Sequence, residues 1–130
     1  MASSASNSLS TRLLAGERLA LSRMISWAEN SNSRFPEALE AIWSQVGRAT
    51  RTGVTGPPGA GKSTLVNELC ALIREEERTV GILAVDPSSP LSGGALLGDR
   101  IRMEDRTADA GVFIRSMASR GSHGGMARSA

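Results

Sequence analysis

Residues 56–64 read Gly-Pro-Pro-Gly-Ala-Gly-Lys-Ser-Thr and match the phosphate-binding pattern G-x-x-x-x-G-K-[ST] at every fixed position. Glycines, which lack a Cβ atom, let the backbone curl so that successive N–H groups point toward an anion. Lys62 adds a full positive charge for the terminal phosphates, and Ser63 adds a hydroxyl oxygen for Mg²⁺. The stretch therefore predicts a binding site for a polyphosphate.

The flanking sequence provides the setting that such a loop needs, a strand before it and a helix after it. Residues 49–55 are strand-like, and residues 62–77 are predicted to form a helix. The amides at the start of that helix carry the positive end of its dipole, which favours a phosphate there. The predicted apolar face of the helix consists of Leu65, Leu69, Leu72 and Ile73.

Composition limits the class of protein. The chain has 130 residues, 40% hydrophobic and 22% charged, which is ordinary for a soluble globular protein but short for a complete enzyme with such a loop. No apolar run approaches the ~20 residues of a membrane span, and the scattered arginines lack interleaved aromatic residues for nucleic-acid stacking. We therefore expect no membrane and no nucleic-acid partner. The single cysteine, Cys70, is expected to be a buried small hydrophobe, and Trp27 and Trp43 to be packing residues.

The sequence before the loop predicts a disordered head and two amphipathic helices. Residues 1–10 are serine-rich without apolar periodicity, although the lack of acidic residues before Glu17 is also compatible with a mitochondrial transit peptide. Residues 11–48 are expected to form a helical segment whose first helix, residues 13–29, breaks near Gly16. The apolar faces comprise Leu14, Leu21, Ile25 and Ala28 in the first helix and Leu39, Ile42, Trp43 and Val46 in the second. These helices are candidates for partner contact or dimerisation.

After the loop and its helix, residues 79–86 form an apolar run that ends in Asp86, which is typical of a parallel strand covered on both faces. Because ligands bind beyond the carboxyl ends of strands in open α/β sheets, Asp86 is expected at the edge that holds the phosphates. Its carboxylate can ligate Mg²⁺ there. Alternatively, Asp86 caps the turn formed by residues 87–90.

The remaining sequence is less informative. Residues 87–98 form a loop rich in glycine and proline, and Asp99 after it can either cap a short helix or reach the metal. A third short strand is predicted at residues 111–115, and no pattern is assigned after it. His123, the only histidine, is treated as a loop residue.

Four segments together carry a resemblance to a known family. They are residues 56–64, residues 84–89 (Ala-Val-Asp-Pro-Ser-Ser), residues 93–103 (Gly-Gly-Ala-Leu-Leu-Gly-Asp-Arg-Ile-Arg-Met) and residues 113–115 (Phe-Ile-Arg). The chain resembles the methylmalonyl-CoA mutase-associated GTPases, the MeaB/ArgK family, also labelled LAO/AO transport system kinases, from about Leu13 to Gly125. The resemblance implies an α/β P-loop NTPase fold, with a parallel sheet flanked by helices and preceded by a small N-terminal helical segment. Residues 49–130 would then be part of a G domain.

The resemblance also implies a function. Family members hydrolyse GTP and act as chaperones of a cobalamin-dependent acyl-CoA mutase, assisting adenosylcobalamin loading and protecting the mutase. The implied ligands are GTP or GDP with Mg²⁺. The residues expected to enclose the phosphates are Gly56, Pro57, Pro58, Gly59, Ala60, Gly61, Lys62, Ser63 and Thr64. The catalytic candidates are Lys62 and Asp99, and the metal-ligand candidates are Ser63, Asp86 and Asp99. A homodimer of the full-length protein and a cytoplasmic location are expected, with the mitochondrial matrix as the less favoured location.

The chain departs from the family pattern in one respect that bears on specificity. No Asn-Lys-x-Asp segment, which recognises guanine in the family, occurs in the sequence, and neither the acidic-Gly switch element nor the C-terminal dimerisation region is present. Guanine specificity is therefore implied by the resemblance and not by the residues. We expect a truncated, N-terminal part of such a protein. Two alternatives stay open: an ATP-dependent small-molecule kinase and a non-catalytic fragment.

Overall fold

The computed structural model describes residues 2–86 and 108–118. In chain order these residues form α1 (Ala2–Leu14), α2 (Arg18–Glu29), α3 (Phe35–Ile42), a single 3₁₀ turn (Trp43–Gln45), α4 (Lys62–Glu75), β1 (Val80–Asp86) and β2 (Val112–Ala118). Contacts divide the chain into two units, the first ending at Arg51 and the second beginning at Thr52. None of the described helices is both long and apolar enough to cross a membrane.

The first unit is built around an apolar core to which α1, α2 and α3 all contribute. Two of the core residues are alanines, Ala20 and Ala38, and their small side chains let neighbouring helices approach closely. Between α1 and α3, the Ser10 hydroxyl donates a buried hydrogen bond of 3.1 Å to the Ala38 carbonyl oxygen. The buried core consists of Leu9, Ala20, Met24, Ala38 and Ile42, with Leu13, Trp27, Phe35 and Leu39 packed against it.

A glycine separates α1 from α2, as the sequence predicts. Gly16 has a φ of 82°, in the left-handed region that a residue with a Cβ atom adopts only at a cost of roughly 1–2 kcal/mol. Arg12 and Glu17 form an exposed ion pair across this turn, with Arg12 Nε 2.6 Å from Glu17 Oε2. The hydrogen bond that Arg12 donates to Glu17 raises the pKa of Arg12 and lowers the pKa of Glu17.

Two expectations for the first unit are wrong. Residues 1–10 are not a disordered head, because α1 begins at Ala2 and both Leu9 and Ser10 are buried. Composition missed this helix because the hydrophobic residues that α1 contributes to the core, Leu9 and Leu13, lie in its second half, and the preceding residues are serine-rich. Trp43 is 66% exposed and is not a core residue; α3 ends at Ile42, and the 3₁₀ turn that begins at Trp43 has no buried residue. Leu14 is likewise exposed.

The second unit contains a parallel pair of strands. β1 and β2 pair in register from Val80 opposite Val112 to Asp86 opposite Ala118. The strands predicted at residues 79–86 and 111–115 are therefore confirmed. The strand predicted at residues 49–55 is wrong: these residues are exposed and form no strand, and no strand in the described part of the chain pairs with them. A strand requires such a partner.

The apolar stripe predicted for the helix after the loop lies on α4, but most of it is exposed to solvent. Of the residues of α4, all of which the structure describes, Cys70 alone is buried, as expected for this side chain. Periodicity identifies the apolar stripe of a helix but not whether another element covers it. The exposed leucines of that stripe are Leu65, Leu69 and Leu72.

Candidate functional site

The phosphate-binding loop predicted from sequence leads directly into α4. Gly59 and Gly61 have φ values of 78° and 85°, and Gly61 is the N-cap residue of the helix. An ideal Cβ atom on either glycine would meet nothing within 4 Å, so the backbone conformation and not crowding requires glycine at both positions. The turn of residues 57–60 is closed by a hydrogen bond of 3.3 Å from the Ala60 amide to the Pro57 carbonyl oxygen.

Lys62, the first residue of α4, folds back over this loop. Its ammonium Nζ donates a hydrogen bond of 2.8 Å to the Pro57 carbonyl oxygen. Its stem lies beside Gly56, since a Cβ atom built on Gly56 would be 3.7 Å from Lys62 Cδ. The positive charge is thereby held on the loop itself, five residues from its own position in the chain.

The N-terminus of α4 follows directly on the predicted phosphate-binding loop. The first hydrogen bond of the helix runs from the Leu65 amide to the Gly61 carbonyl oxygen, at 2.9 Å. The amides before it lie in the first turn, where a helix offers no backbone acceptor, and the N-cap residue, Gly61, has no side chain that could cap them. Loop residues 56–61 are exposed, and Lys62 and Ser63 are half-buried, so a ligand in solution can reach the loop.

Comparison with known proteins identifies the family. Residues 21–130 match the model of the family described as Methylmalonyl Co-A mutase-associated GTPase MeaB. The chain belongs to the MeaB family. This membership confirms the resemblance and, together with the helices and the parallel strands, the α/β P-loop NTPase fold class.

Curated relatives agree with this membership. The chain is 51% identical over 117 residues to a "Putative GTPase" of Pyrococcus abyssi, covering 90% of the chain and 36% of that protein. It is 41% identical over 123 residues to "GTPase ArgK" of Escherichia coli, covering 92% and 37%. It is 35% identical over 134 residues to the "Methylmalonic aciduria type A homolog, mitochondrial" of Mus musculus, covering 92% and 32%. The chain thus spans only about a third of the length of these relatives.

The structure places the acidic candidates only in part. β1 ends at Asp86, so the backbone of this residue lies at the carboxyl end of a parallel strand, as predicted. The side chain of Asp86, the loop of residues 87–98, Asp99 and His123 lie outside what the structure describes. Within the described ranges, no three His, Cys, Asp or Glu side chains gather into a possible metal site. The roles of Ser63, Asp86 and Asp99 as metal ligands, and of Lys62 and Asp99 in catalysis, therefore stay predictions.

An ion pair that the sequence analysis missed connects the far end of α4 to the start of β2. Arg74 donates from Nε to Asp109 Oδ2 at 2.9 Å and from Nη2 to Asp109 Oδ1 at 3.0 Å. Its Nη1 donates to the carbonyl oxygen of Arg78 at 2.6 Å. The hydrogen bond to Asp109 raises the pKa of Arg74 above its ordinary value. Because 35 positions separate the two side chains, no local pattern could have found the pair.

Proposed function

We propose that this MeaB-family chain binds GTP and GDP through residues 56–64 and forms part of a GTPase that serves a cobalamin-dependent acyl-CoA mutase. One observation carries the nucleotide site: Lys62 lies over a loop in which Gly59 and Gly61 adopt left-handed conformations, directly before the N-terminus of α4. Family membership supports guanine as the base, since the matched relatives are named GTPases.

The backbone amides and the Lys62 side chain bind the phosphates in different ways. Amides of the loop and of the first turn of α4 hold the phosphate oxygens, where the helix dipole also favours negative charge. Lys62 Nζ, which now bonds the Pro57 carbonyl oxygen, can direct its other donors to the β- and γ-phosphates. Its charge then stabilises the oxygens as the bond to the γ-phosphate breaks.

Magnesium fits the oxygen donors that the chain offers near the loop. Mg²⁺ prefers hydroxyl, carboxylate and phosphate oxygens. Ser63 lies in the first turn of α4, and Asp86 ends β1. We propose that Ser63 holds the ion together with Asp86 and Asp99, which the resemblance places nearby. When bound, Mg²⁺ supplies positive charge that offsets the charge on the β- and γ-phosphates.

The proposed partner is supported by two names. The family model is described as mutase-associated, and the mouse relative is named for methylmalonic aciduria type A. A loop that senses the γ-phosphate can change a partner-binding surface when the nucleotide is hydrolysed. We propose that the nucleotide state controls binding to the mutase, that adenosylcobalamin loading and protection follow from it, and that the full-length protein is a homodimer.

The first experiment is calorimetric titration of the purified chain with GDP and Mg²⁺, comparing Lys62→Ala with the parent chain. Removing a charge-assisted hydrogen bond worth about 1.5–3 kcal/mol weakens binding roughly 10- to 150-fold. Arg48→Ala is the matched control, because it removes one positive charge from an exposed position outside the loop and should leave the affinity unchanged. Equal affinity of the Lys62→Ala and parent chains refutes the site.

A second titration, with ADP, tests the base. Tighter binding of GDP than of ADP supports a guanine-nucleotide site, and tighter binding of ADP favours the small-molecule kinase alternative. The mutase role is tested by titrating the chain, with GDP or a non-hydrolysable GTP analogue, into a cobalamin-dependent acyl-CoA mutase. Affinity that differs between the two nucleotide states supports the proposal, and the absence of binding in both states contradicts it.

A further inference from the structure

Arg74, near the C-terminal end of α4, is bonded to the residues that precede β2. Arg74 spans both oxygens of the Asp109 carboxylate, and its planar guanidinium fixes direction as well as distance. The Asp109 carboxylate is itself held, because the Gly111 amide donates to Asp109 Oδ1 at 2.7 Å. A Cβ atom at Gly111 would overlap Cζ, Nη1 and Nη2 of Arg74. We call Arg74, Asp109 and Gly111 the Arg74 clamp.

The Arg74 clamp is tied to the backbone of both strands. The Val80 amide, at the start of β1, donates to the Gly111 carbonyl oxygen at 2.9 Å, and the Val112 amide, at the start of β2, donates to the Asp109 carbonyl oxygen at 3.1 Å. Arg74 Nη1 also bonds the Arg78 carbonyl oxygen in the turn that leads to β1. One guanidinium therefore joins the helix, the turn and the beginning of the parallel pair.

Burial of apolar side chains contributes little to fixing α4 within its unit. Cys70 is the one buried side chain among its fourteen residues, and Leu65 and Leu72 are more than half exposed. A helix with so little buried apolar surface depends on directional contacts to fix its orientation. The Arg74 clamp supplies such contacts: Asp109 accepts from Nε and Nη2 of Arg74, and Gly111 lies against its guanidinium. The Arg78 carbonyl oxygen adds a further contact at Nη1.

The orientation of α4 matters at its other end. Twelve residues separate Arg74 from Lys62, a distance of about 18 Å along the helix, so a tilt of roughly 5° at Arg74 moves the Lys62 amide by about 1.5 Å. We propose that the Arg74 clamp is a positioning element for the phosphate-binding loop, holding Lys62 and the first turn of α4 where the phosphates bind. This inference rests on the proposed nucleotide site and adds residues that do not touch the nucleotide.

The test measures GDP·Mg²⁺ affinity of the full chain by calorimetry in Arg74→Lys and Asp109→Asn. Arg74→Lys keeps the charge and the stem but loses the two-pronged hydrogen bond, and Asp109→Asn keeps the shape but loses the charge. Residues that do not contact a ligand change its affinity by about 2- to 30-fold through such coupling, and we expect a weakening in this range. The matched controls, Arg12→Lys and Glu17→Gln, make the same changes in an exposed ion pair of the first unit and should leave the affinity unchanged.

Gly111→Ala disturbs the Arg74 clamp without changing Arg74 or Asp109. Its methyl group displaces the guanidinium, so it should weaken GDP binding in the parent chain. In an Arg74→Lys background it should add little, because lysine has no guanidinium to overlap. Additive losses in the double variant contradict a shared mechanism.

A second measurement distinguishes the positioning role of the Arg74 clamp from a general effect on the stability of the protein. Amide hydrogen exchange of the nucleotide-free chain should become faster at residues 62–66 in Arg74→Lys, which retains the charge and is the mildest of the three changes. Faster exchange confined to residues 71–78, or unchanged GDP affinity in folded Arg74→Lys and Asp109→Asn chains, overturns the positioning role while the nucleotide site stands. If the parent chain itself fails to bind GDP, the nucleotide site and the positioning role are both refuted.

Discussion

Leu9→Ala tests whether the serine-rich start of the chain is part of the folded first unit. Leu9 is 3% exposed and belongs to the core formed by α1, α2 and α3. Removing three of its carbon atoms withdraws about 2.4 kcal/mol of transfer free energy, and the cavity left behind brings the usual total for Leu→Ala to roughly 2–5 kcal/mol. A unit of about fifty residues has a free energy of unfolding of only about 3–8 kcal/mol. The substitution therefore removes a large part of the stability of this unit.

The assay follows one tryptophan in this unit. Trp27 packs against the core, whereas Trp43 is 66% exposed, so a Trp43→Phe background leaves Trp27 as the only tryptophan and a local reporter. Urea unfolding followed by Trp27 fluorescence gives the free energy of unfolding. In a thermal scan, a loss of roughly 2–5 kcal/mol should lower the midpoint by roughly 8–40 °C, at about 4–8 °C for each kcal/mol in a small domain.

Leu14→Ala is the matched control for this experiment. Leu14 lies in the same helix and undergoes the same chemical change, but it is 56% exposed. Substitutions at such positions usually change stability by less than about 0.5 kcal/mol. Equal small effects of Leu9→Ala and Leu14→Ala would refute the packing of α1 and restore the disordered head that composition indicates.

Three further predictions concern backbone conformation and pH. Glu77 follows the C-cap of α4 with a φ of 59°, so Glu77→Gly should raise the free energy of unfolding by about 0.5–1 kcal/mol in urea titration, and a lower value contradicts this. Gly61→Ala should weaken GDP binding in calorimetry, because its φ of 85° costs alanine roughly 1–2 kcal/mol, while Gly53→Ala, which meets nothing within 4 Å and has no positive φ, should not. The hydrogen bond from Arg12 holds the pKa of Glu17 below its usual value of 4.5, so its contribution to stability is present above that pH and is lost as the pH falls through the lowered pKa. Stability measured against pH should therefore differ between the parent chain and Glu17→Gln only above that range; a constant difference at all pH values excludes the linkage.

The sequence predicts the phosphate-binding loop well because the conformation of the loop depends on residues that are close together in the chain. Gly59, Gly61 and Lys62 lie within four positions of one another, and their conformations follow from the absence of a Cβ atom and from the start of a helix. The apolar run that ends at Asp86 likewise predicts β1 from its own composition. Family-specific segments then identify the family, since they are more distinctive than the loop alone.

Properties that depend on a distant partner were not predicted. Burial of Leu9 requires α2 and α3, and the lack of a strand at residues 49–55 reflects the absence of a pairing strand in the described part of the chain. The exposed apolar stripe of α4 is a further example. Local sequence predicts that a helix has an apolar face, but whether another element buries that face depends on distant residues. The ion pair of Arg74 and Asp109 joins residues with no shared pattern.

Substitutions in the phosphate-binding loop and in the Arg74 clamp should weaken GDP binding for different reasons. The Gly61 and Lys62 substitutions remove groups that the loop itself supplies, so they should act even where α4 keeps its orientation. Substitutions in the Arg74 clamp leave every loop group in place and change only where α4 carries them. If loop geometry alone sets affinity, only the first class weakens GDP binding; if the orientation of α4 also matters, both classes do. Combining Arg74→Lys with Lys62→Ala decides between these cases, because the loss from Arg74→Lys should shrink once the ammonium group that it helps to position is gone.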